Sequence, residues 1–296
     1  MKPLYKQQNT LSVVDIKKTL EIFYKEDKIN HDLSTICCTS KHDPLTTAQL
    51  IAEEDLIVAG LPLFDIHFQP TNILNKTNQP RKHTLQEGSV CHAGDVLYKI
   101  EAPASTLLSY ERVLLNLIQR MSGIASLTNQ YVQMLNSPNI KILDTRKTTP
   151  GLRLFEKYAV FIGGGYNHRF DLNEGVMIKD NHLVIIENLD SQLIKFQQKY
   201  PNKKIQIEVD NFKQLKTIVT SLSIKIDAVL LDNMNATQTE KCSKFIRKNL
   251  PQCFIESSGG INLKNITNYQ SLDIDGISIG ALTHQANSKN IKLEFQ

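Results

Sequence analysis

Residues 203–234 read KKIQIEVDNFKQLKTIVTSLSIKIDAVLLDNM. An apolar run, Ile205 to Val209, precedes an amphipathic stretch, Phe212 to Leu222, and a second apolar run, Ala228 to Asp232. This pattern predicts strand, helix and strand. Short strands that are apolar throughout suit a parallel sheet covered on both faces. Acids close both runs: Glu208 and Asp210 the first, Asp232 the second. Glu208 and Asp210 stand two apart and so share a face, although Asp210 also fits a cap for the helix that follows.

The same rhythm continues in both directions. Strands are expected at Ile140 to Asp144, Val176 to Lys179, Cys253 to Ser257 and Gly276 to Ile279. Helices fit at Leu152 to Val160, Ile186 to Tyr200, Thr237 to Leu250 and Leu263 to Tyr269. Repetition of this kind favours a βα-barrel, with a doubly wound open sheet as the alternative. The strand ends favour the barrel further, since barrel enzymes place their chemistry at the carboxyl ends of the strands. Asp144-Thr145-Arg146-Lys147, Lys179-Asp180-Asn181, Asp232-Asn233, Ser257-Ser258-Gly259-Gly260 and Gly280 all fall there.

The first third lacks this rhythm and reads as a small α+β domain. A helix fits Leu11 to Tyr24, and strands fit Thr47 to Glu53, Leu56 to Ala59 and Val90 to Glu101, the last turned at Ala93-Gly94-Asp95. Pro70 to Gly88 is polar and rich in breakers, and fits a loop or an edge strand. Ser109 to about Leu135 predicts a long amphipathic helix, in which Gly123 marks a close contact or a break.

Composition excludes more than it selects. With 296 residues, 41% hydrophobic and 22% charged, the chain is that of a folded globular protein. A net charge of +4 is too small for a nucleic-acid groove, and no run approaches the ~18 apolar residues of a membrane span. The start shows no signal-peptide core, so a cytoplasmic protein is expected. Five cysteines, none in a C-x-x-C pair, argue against a disulfide framework and a structural zinc site.

Arg146, Lys147, Arg169 and Lys179 gather at or near the strand ends, with Arg153 and His168 close in sequence. Only seven arginines stand against 27 lysines, and five of them lie between Arg112 and Arg169. Such use of arginine suggests planar recognition of carboxylate or phosphate, hence a polyanionic substrate. Glu208 and Asp232 are the candidate carriers of Mg²⁺, which binds through one or two carboxylates plus substrate oxygens. Ser257 to Gly260 occupies the late-strand position where barrels cradle phosphate, and Gly163-Gly164-Gly165 marks a sharp turn or a close approach. His31, His42, His67, His83 and His92 show no ligand spacing.

Seven blocks together resemble a family. They are ERVLLNLIQRMSGIAS from Glu111, LDTRKTTPGLR from Leu143, GGGYNHRFDLNEGVMIKDNH from Gly163, IEVD from Ile207, LLDNM from Leu230, ESSGGI from Glu256 and ISIGALTH from Ile277. In order and spacing they are similar to the quinolinate phosphoribosyltransferases, the carboxylating nicotinate-nucleotide pyrophosphorylases. AEEDLIVAG and EGSVCHAGDVLY resemble the family more loosely. Asn173-Glu174-Gly175 departs from its pattern, Glu174 standing near an Asp that a bulkier apolar residue often follows.

The resemblance implies the type II phosphoribosyltransferase architecture. An N-terminal α+β sandwich, residues 1–112 joined by the tail 281–296, would accompany an incomplete βα-barrel, residues 113–280. It implies a homodimer in which Arg112 of the partner subunit completes the active site. The implied reaction joins quinolinate to 5-phosphoribosyl 1-pyrophosphate with Mg²⁺. It yields nicotinate mononucleotide, pyrophosphate and CO₂ in NAD biosynthesis, without an organic cofactor. Carried over by motif, Arg112, Arg146, His168, Arg169 and Lys179 would bind quinolinate, and Lys147, Glu208 and Asp232 the ribosyl pyrophosphate and its metal. Ser257, Gly259, Gly260 and Gly280 would line the 5-phosphate site. The alternatives are a phosphoribosyltransferase for nicotinate or another pyridine, and a metabolite-binding relative without turnover.

Overall fold

The computed structural model describes residues 3–68 and 85–296, so most of the polar stretch read at Pro70 to Gly88, and His83 within it, lies outside the described residues. Two compact units form. One holds Gln8–Leu127, Pro150–Gly164 and Ala286–Gln296, and the other Met1–Gln7, Thr128–Thr149 and Gly165–Gln285.

The first unit contains α1 (Val13–Glu26), α2 (Leu33–Thr39), β1 (Leu45–Ala52), β2 (Leu56–Ile57), α3 (Leu61–His67), β3 (Val90–Cys91) and β4 (Val96–Pro103). The first two helices start where Ser12 and Asp32 side chains accept backbone N–H groups of the opening turn. β1 is the middle strand of an antiparallel sheet, with β4 on one side and the C-terminal strand on the other. Its alternation buries Ala48, Leu50 and Ala52, which joins the chain's end to its beginning.

The helix α4 (Ala104–Leu135) starts directly after Pro103, five residues earlier than its apolar pattern suggests. Gly123 within it is a close approach, not a break: a Cβ there would lie 2.0 Å from the Asn287 carbonyl oxygen. Arg120 donates to Glu156 at 2.9 Å and to the Ala286 carbonyl at 2.7 Å, holding the same tail segment.

The second unit begins with the last turns of α4 and β5 (Lys141–Leu143). After α5 (Arg153–Ile162), which belongs to the first unit, it continues through β6 (Gly175–Ile178), α6 (Asp180–Ile185), α7 (Leu189–Lys199), β7 (Lys204–Val209), α8 (Phe212–Ser221) and β8 (Ala228–Asp232). It is completed by α9 (Ala236–Asn249), β9 (Phe254–Ser258), β10 (Gly276–Ser278) and α10 (Ala281–His284), while β11 (Ile291–Phe295) is the strand that returns to β1. The strands form one parallel sheet in the order β5-β10-β9-β8-β7-β6. The last strand lies beside the first, which is barrel winding; a doubly wound sheet would reverse direction at a switch point. A parallel bridge from Leu143 to Tyr166 extends the β5 edge, and no ladder joins β5 to β6 among the described residues.

Two expected helices differ. Ile186 to Tyr200 opens only at Leu189, because the Asn188 side chain caps Ser191 N–H. Leu263 to Tyr269 is reduced to a 3₁₀ turn at Ile266–Tyr269: Asn262 accepts from Lys264 N–H, and such local side-chain bonds compete with helix.

Candidate active site

A cavity of about 670 Å³ opens at the carboxyl ends of the barrel strands. Strand parity decides what faces it. Glu208 on β7 is in register with Leu230 on β8 and, through it, with Glu256 on β9, while Asp232 pairs with Ser258. These side chains all line the cavity. The alternate residues Ile207, Val209, Val229, Leu231 and Ile255 pack away from it, fully buried. Ser257 has that second parity: it is fully buried and absent from the lining, where Ser258 stands in its place.

Arg146, Lys147, Arg169 and Lys179 also reach the cavity. Among the described residues, the buried Arg146 Nε has no hydrogen-bond partner, whereas buried polar atoms are ordinarily bonded. Arg169 Nη1 donates to the Gly175 carbonyl at 3.0 Å. Burial lowers its guanidinium below the ordinary value; Tyr5 opposes this and Arg146 adds to it. Lys179 caps α6 and lies 2.6 Å from Glu208 Oε2. The site therefore concentrates positive charge in a partly desolvated place, which is what a polyanion needs.

Two carboxylates balance this charge. Burial pushes Glu208 above the ordinary carboxyl range; Lys179 pulls the other way and Asp232 adds to the rise. Burial likewise raises Asp232, again opposed by Lys179 and reinforced by Asp210. A cation would relieve both. Among the described residues no group of three or more His, Cys, Asp or Glu forms a protein cage. Glu208 and Asp232 thus fit a hard ion that takes most of its oxygens from substrate and water.

Asn233, named in the sequence only as the neighbour of Asp232 at a strand end, fixes Asp232. At φ +54° it sits in the left-handed region, and its Nδ2 donates to Asp232 Oδ2 at 2.7 Å. Its backbone N–H donates to the Ser258 carbonyl at 2.8 Å, tying β8 to β9. Gly259, at φ +83°, leaves it room, because a Cβ there would stand 2.2 Å from Asn233 Oδ1. Gly259, Gly260 and Gly280 all line the cavity, as does His284, which no spacing signal singled out.

The floor is a buried polar cluster. His168 lies in the lining, with Nδ1 accepting Arg169 N–H at 2.8 Å and Nε2 3.4 Å from Glu256 Oε2. Glu256 also accepts from Gln206 Nε2 at 2.7 Å. Burial alone would raise its carboxyl; His168, Ser278 and Gln206 outweigh that and hold it below the ordinary value. Asp144, read as strand-end chemistry, lies fully buried outside the lining and accepts His168 N–H at 2.8 Å and Asn167 Nδ2 at 2.7 Å. It shapes the loop that carries His168. Arg112, exposed on α4 in the first unit, is not part of this lining.

Comparison with known proteins agrees with this geometry. Residues 124–294 match the family model described as quinolinate phosphoribosyl transferase, C-terminal domain, and residues 32–122 the corresponding N-terminal domain. A probable carboxylating nicotinate-nucleotide pyrophosphorylase of Bacillus subtilis is 36% identical over 282 residues, 95% of this chain and 93% of that one. The solved nicotinate-nucleotide pyrophosphorylase of Francisella tularensis superposes with TM-score 0.85 at 28% identity, covering 99% of this chain and 100% of that one. The one from Ehrlichia chaffeensis gives 0.82 at 32%, covering 97% and 100%.

Proposed function

The chain belongs to the quinolinate phosphoribosyl transferase family, and from that premise we propose that its barrel cavity joins quinolinate to 5-phosphoribosyl 1-pyrophosphate with loss of CO₂. The product, nicotinate mononucleotide, feeds NAD biosynthesis. The observation that carries this reading is the meeting of Arg146, Lys147, Arg169 and Lys179 with Glu208 and Asp232 in one cavity at the strand ends. A ring with one carboxylate has no use for so many cations.

In this reading Arg146, Arg169 and Lys179 bind the two carboxylates of quinolinate, with His168 beside them. Arg112 of the partner subunit completes the set in a homodimer. Support for that role comes from Arg112 being exposed on α4 and outside its own chain's cavity. Lys147 neutralises the pyrophosphate. Gly259, Gly260 and Gly280 hold the 5-phosphate, with Ser258 in the position expected of Ser257. Cytoplasmic placement fits the five unpaired cysteines, and no helix among the described residues is long and apolar enough to cross a membrane.

The bond from the ribosyl carbon to pyrophosphate breaks with its electron pair leaving on oxygen. Glu208 and Asp232 face the cationic ribosyl carbon and stabilise it electrostatically. The pyridine nitrogen donates its lone pair to that carbon and becomes positively charged. The C2 carboxylate then leaves as CO₂, its bonding electrons remaining on C2 beside the cationic nitrogen, and C2 takes a proton from solvent. This step needs orientation of the ring, which the paired cations supply, more than a dedicated base. Mg²⁺, held through Glu208 and Asp232, would add charge neutralisation at the pyrophosphate.

The test mixes the purified chain with quinolinate labelled in its C2 carboxylate, 5-phosphoribosyl 1-pyrophosphate and Mg²⁺. CO₂ and nicotinate mononucleotide should appear in equal amounts. Turnover of nicotinate with quinolinate ignored would overturn the substrate, and quinolinate binding without product would overturn the enzyme.

A further inference from the structure

We infer that residues 5–7 form a strap that positions the quinolinate-binding loop, residues 167–175, and that Glu174 is the loop's half of the clasp. The inference rests on the assignment of His168 and Arg169 to quinolinate. Gln7 meets the Asn167 backbone from both ends: its Oε1 accepts Asn167 N–H at 2.7 Å, and its Nε2 donates to the Asn167 carbonyl at 3.2 Å. The same Nε2 donates to the Tyr5 carbonyl at 2.9 Å, so the strap is braced internally. Glu174 closes the other side, one oxygen accepting Lys6 N–H at 3.2 Å and the other accepting Phe170 N–H.

Tyr5 fills the space between. Its ring lies 4.9 Å from that of His168, and its Cε1 would stand 3.1 Å from a Cβ at Gly175, the residue whose carbonyl anchors Arg169. Its hydroxyl donates to Gln206 Oε1 at 3.0 Å, and Gln206 passes the contact on to Glu256 and so to His168. The strap therefore holds the backbone on both sides of His168 and Arg169 and the ring of His168 from below. The Lys147, Glu208, Asp232 and glycine side of the cavity receives none of these contacts. Tyr5, Gln7 and Glu174 are thus positioning residues for one substrate and not the other.

Gln7→Ala should raise the KM for quinolinate about tenfold and leave that for 5-phosphoribosyl 1-pyrophosphate within twofold. Gln7→Glu keeps the acceptor for Asn167 N–H and should recover part of the loss; Glu174→Gln should behave in the same way. Benzene-1,2-dicarboxylate, which cannot react, gives a binding measurement free of turnover and should bind about tenfold more weakly to Gln7→Ala. Amide exchange at Asn167 should quicken. Equal changes in both KM values, or faster exchange with dicarboxylate binding unchanged, would reduce the strap to a fold element and overturn the inference. A parent chain that binds the dicarboxylate but makes no product refutes the functional reading while the binding comparison still judges the strap. A parent chain that does neither refutes both.

Discussion

Gly259→Ala and Gly260→Ala place the same methyl group on adjacent left-handed residues, and the structure separates their costs. Both sites have positive φ, +83° and +66°, which costs an L side chain roughly 1–2 kcal/mol. At Gly260 nothing lies within 4 Å of the added Cβ, so that strain is the whole effect. At Gly259 the Cβ would stand 2.2 Å from Asn233 Oδ1 and 2.8 Å from Asn233 N. The side chain must swing away and release Asp232, and the turn must also shift to clear the backbone N, which is held by its 2.8 Å bond to the Ser258 carbonyl. Losing the bond to Asp232 adds about 1–1.5 kcal/mol, giving about 3 kcal/mol in all. At roughly 2–4 °C per kcal/mol, thermal unfolding should fall by about 6–12 °C for Gly259→Ala and about 2–8 °C for Gly260→Ala. Steady-state kinetics of Gly259→Ala should also show a lower kcat, since Asp232 is no longer aimed. Equal losses of Tm in the two variants would refute the contact between Gly259 and Asn233 as the determinant of this turn.

Gly123→Ala, which in an open helix would gain about 1 kcal/mol, should instead lower Tm, because the new Cβ meets the Asn287 carbonyl at 2.0 Å; an unchanged or raised Tm would show that the tail is free to move. Arg146→Ala and Lys179→Ala should each weaken quinolinate binding by about 2–3 kcal/mol, or 30–150-fold, with little effect on nicotinate binding as read by calorimetry. The Glu208 carboxyl is raised in the folded chain, so kcat/KM for 5-phosphoribosyl 1-pyrophosphate should fall as pH drops through a value above the ordinary glutamate range. The sign for stability is opposite: a raised folded value makes the contribution greatest at low pH and lost as pH rises. Glu208→Gln should therefore keep or raise Tm near neutrality while lowering kcat by orders of magnitude, and a variant that unfolds instead would mark Glu208 as structural.

The barrel was legible because each strand is a short apolar run ended by polar residues, and that pattern survives without knowing which strands pair. Arg146, Lys147, Lys179, Glu208 and Asp232 follow from it, since strand ends converge in any such barrel, while Arg169, in the loop before β6, follows only from its place in the basic cluster. What stayed hidden depends on parity and register. Ser257 and Ser258 are alike in sequence, and only the pairing of Ser258 with Asp232 shows which one faces the cavity. Glu256 reads only as an interior residue of the strand Cys253 to Ser257 until its register with Leu230, and so with Glu208, puts it in the cavity. Asp144 misled because an acid after a strand looks the same whether it meets solvent or caps a loop. Asn233 carries no chemical signature at all; its role lies in a left-handed backbone that composition does not reveal.

The last strand has a consequence for the fate of shortened chains. β11 pairs along β1 from Ala48 to Ala52, and it presents Lys292 and Glu294 at the sheet's edge. Without residues 291–296 that edge would be the uncharged stretch AQLIA, its amide and carbonyl groups open to any passing strand. Charged edge strands protect a sheet from pairing with its neighbours, and apolar ones invite it. A chain ending before Ile291 would keep every residue of the cavity and yet gather into insoluble assemblies, so a premature stop there would act through protein quality control rather than through catalysis.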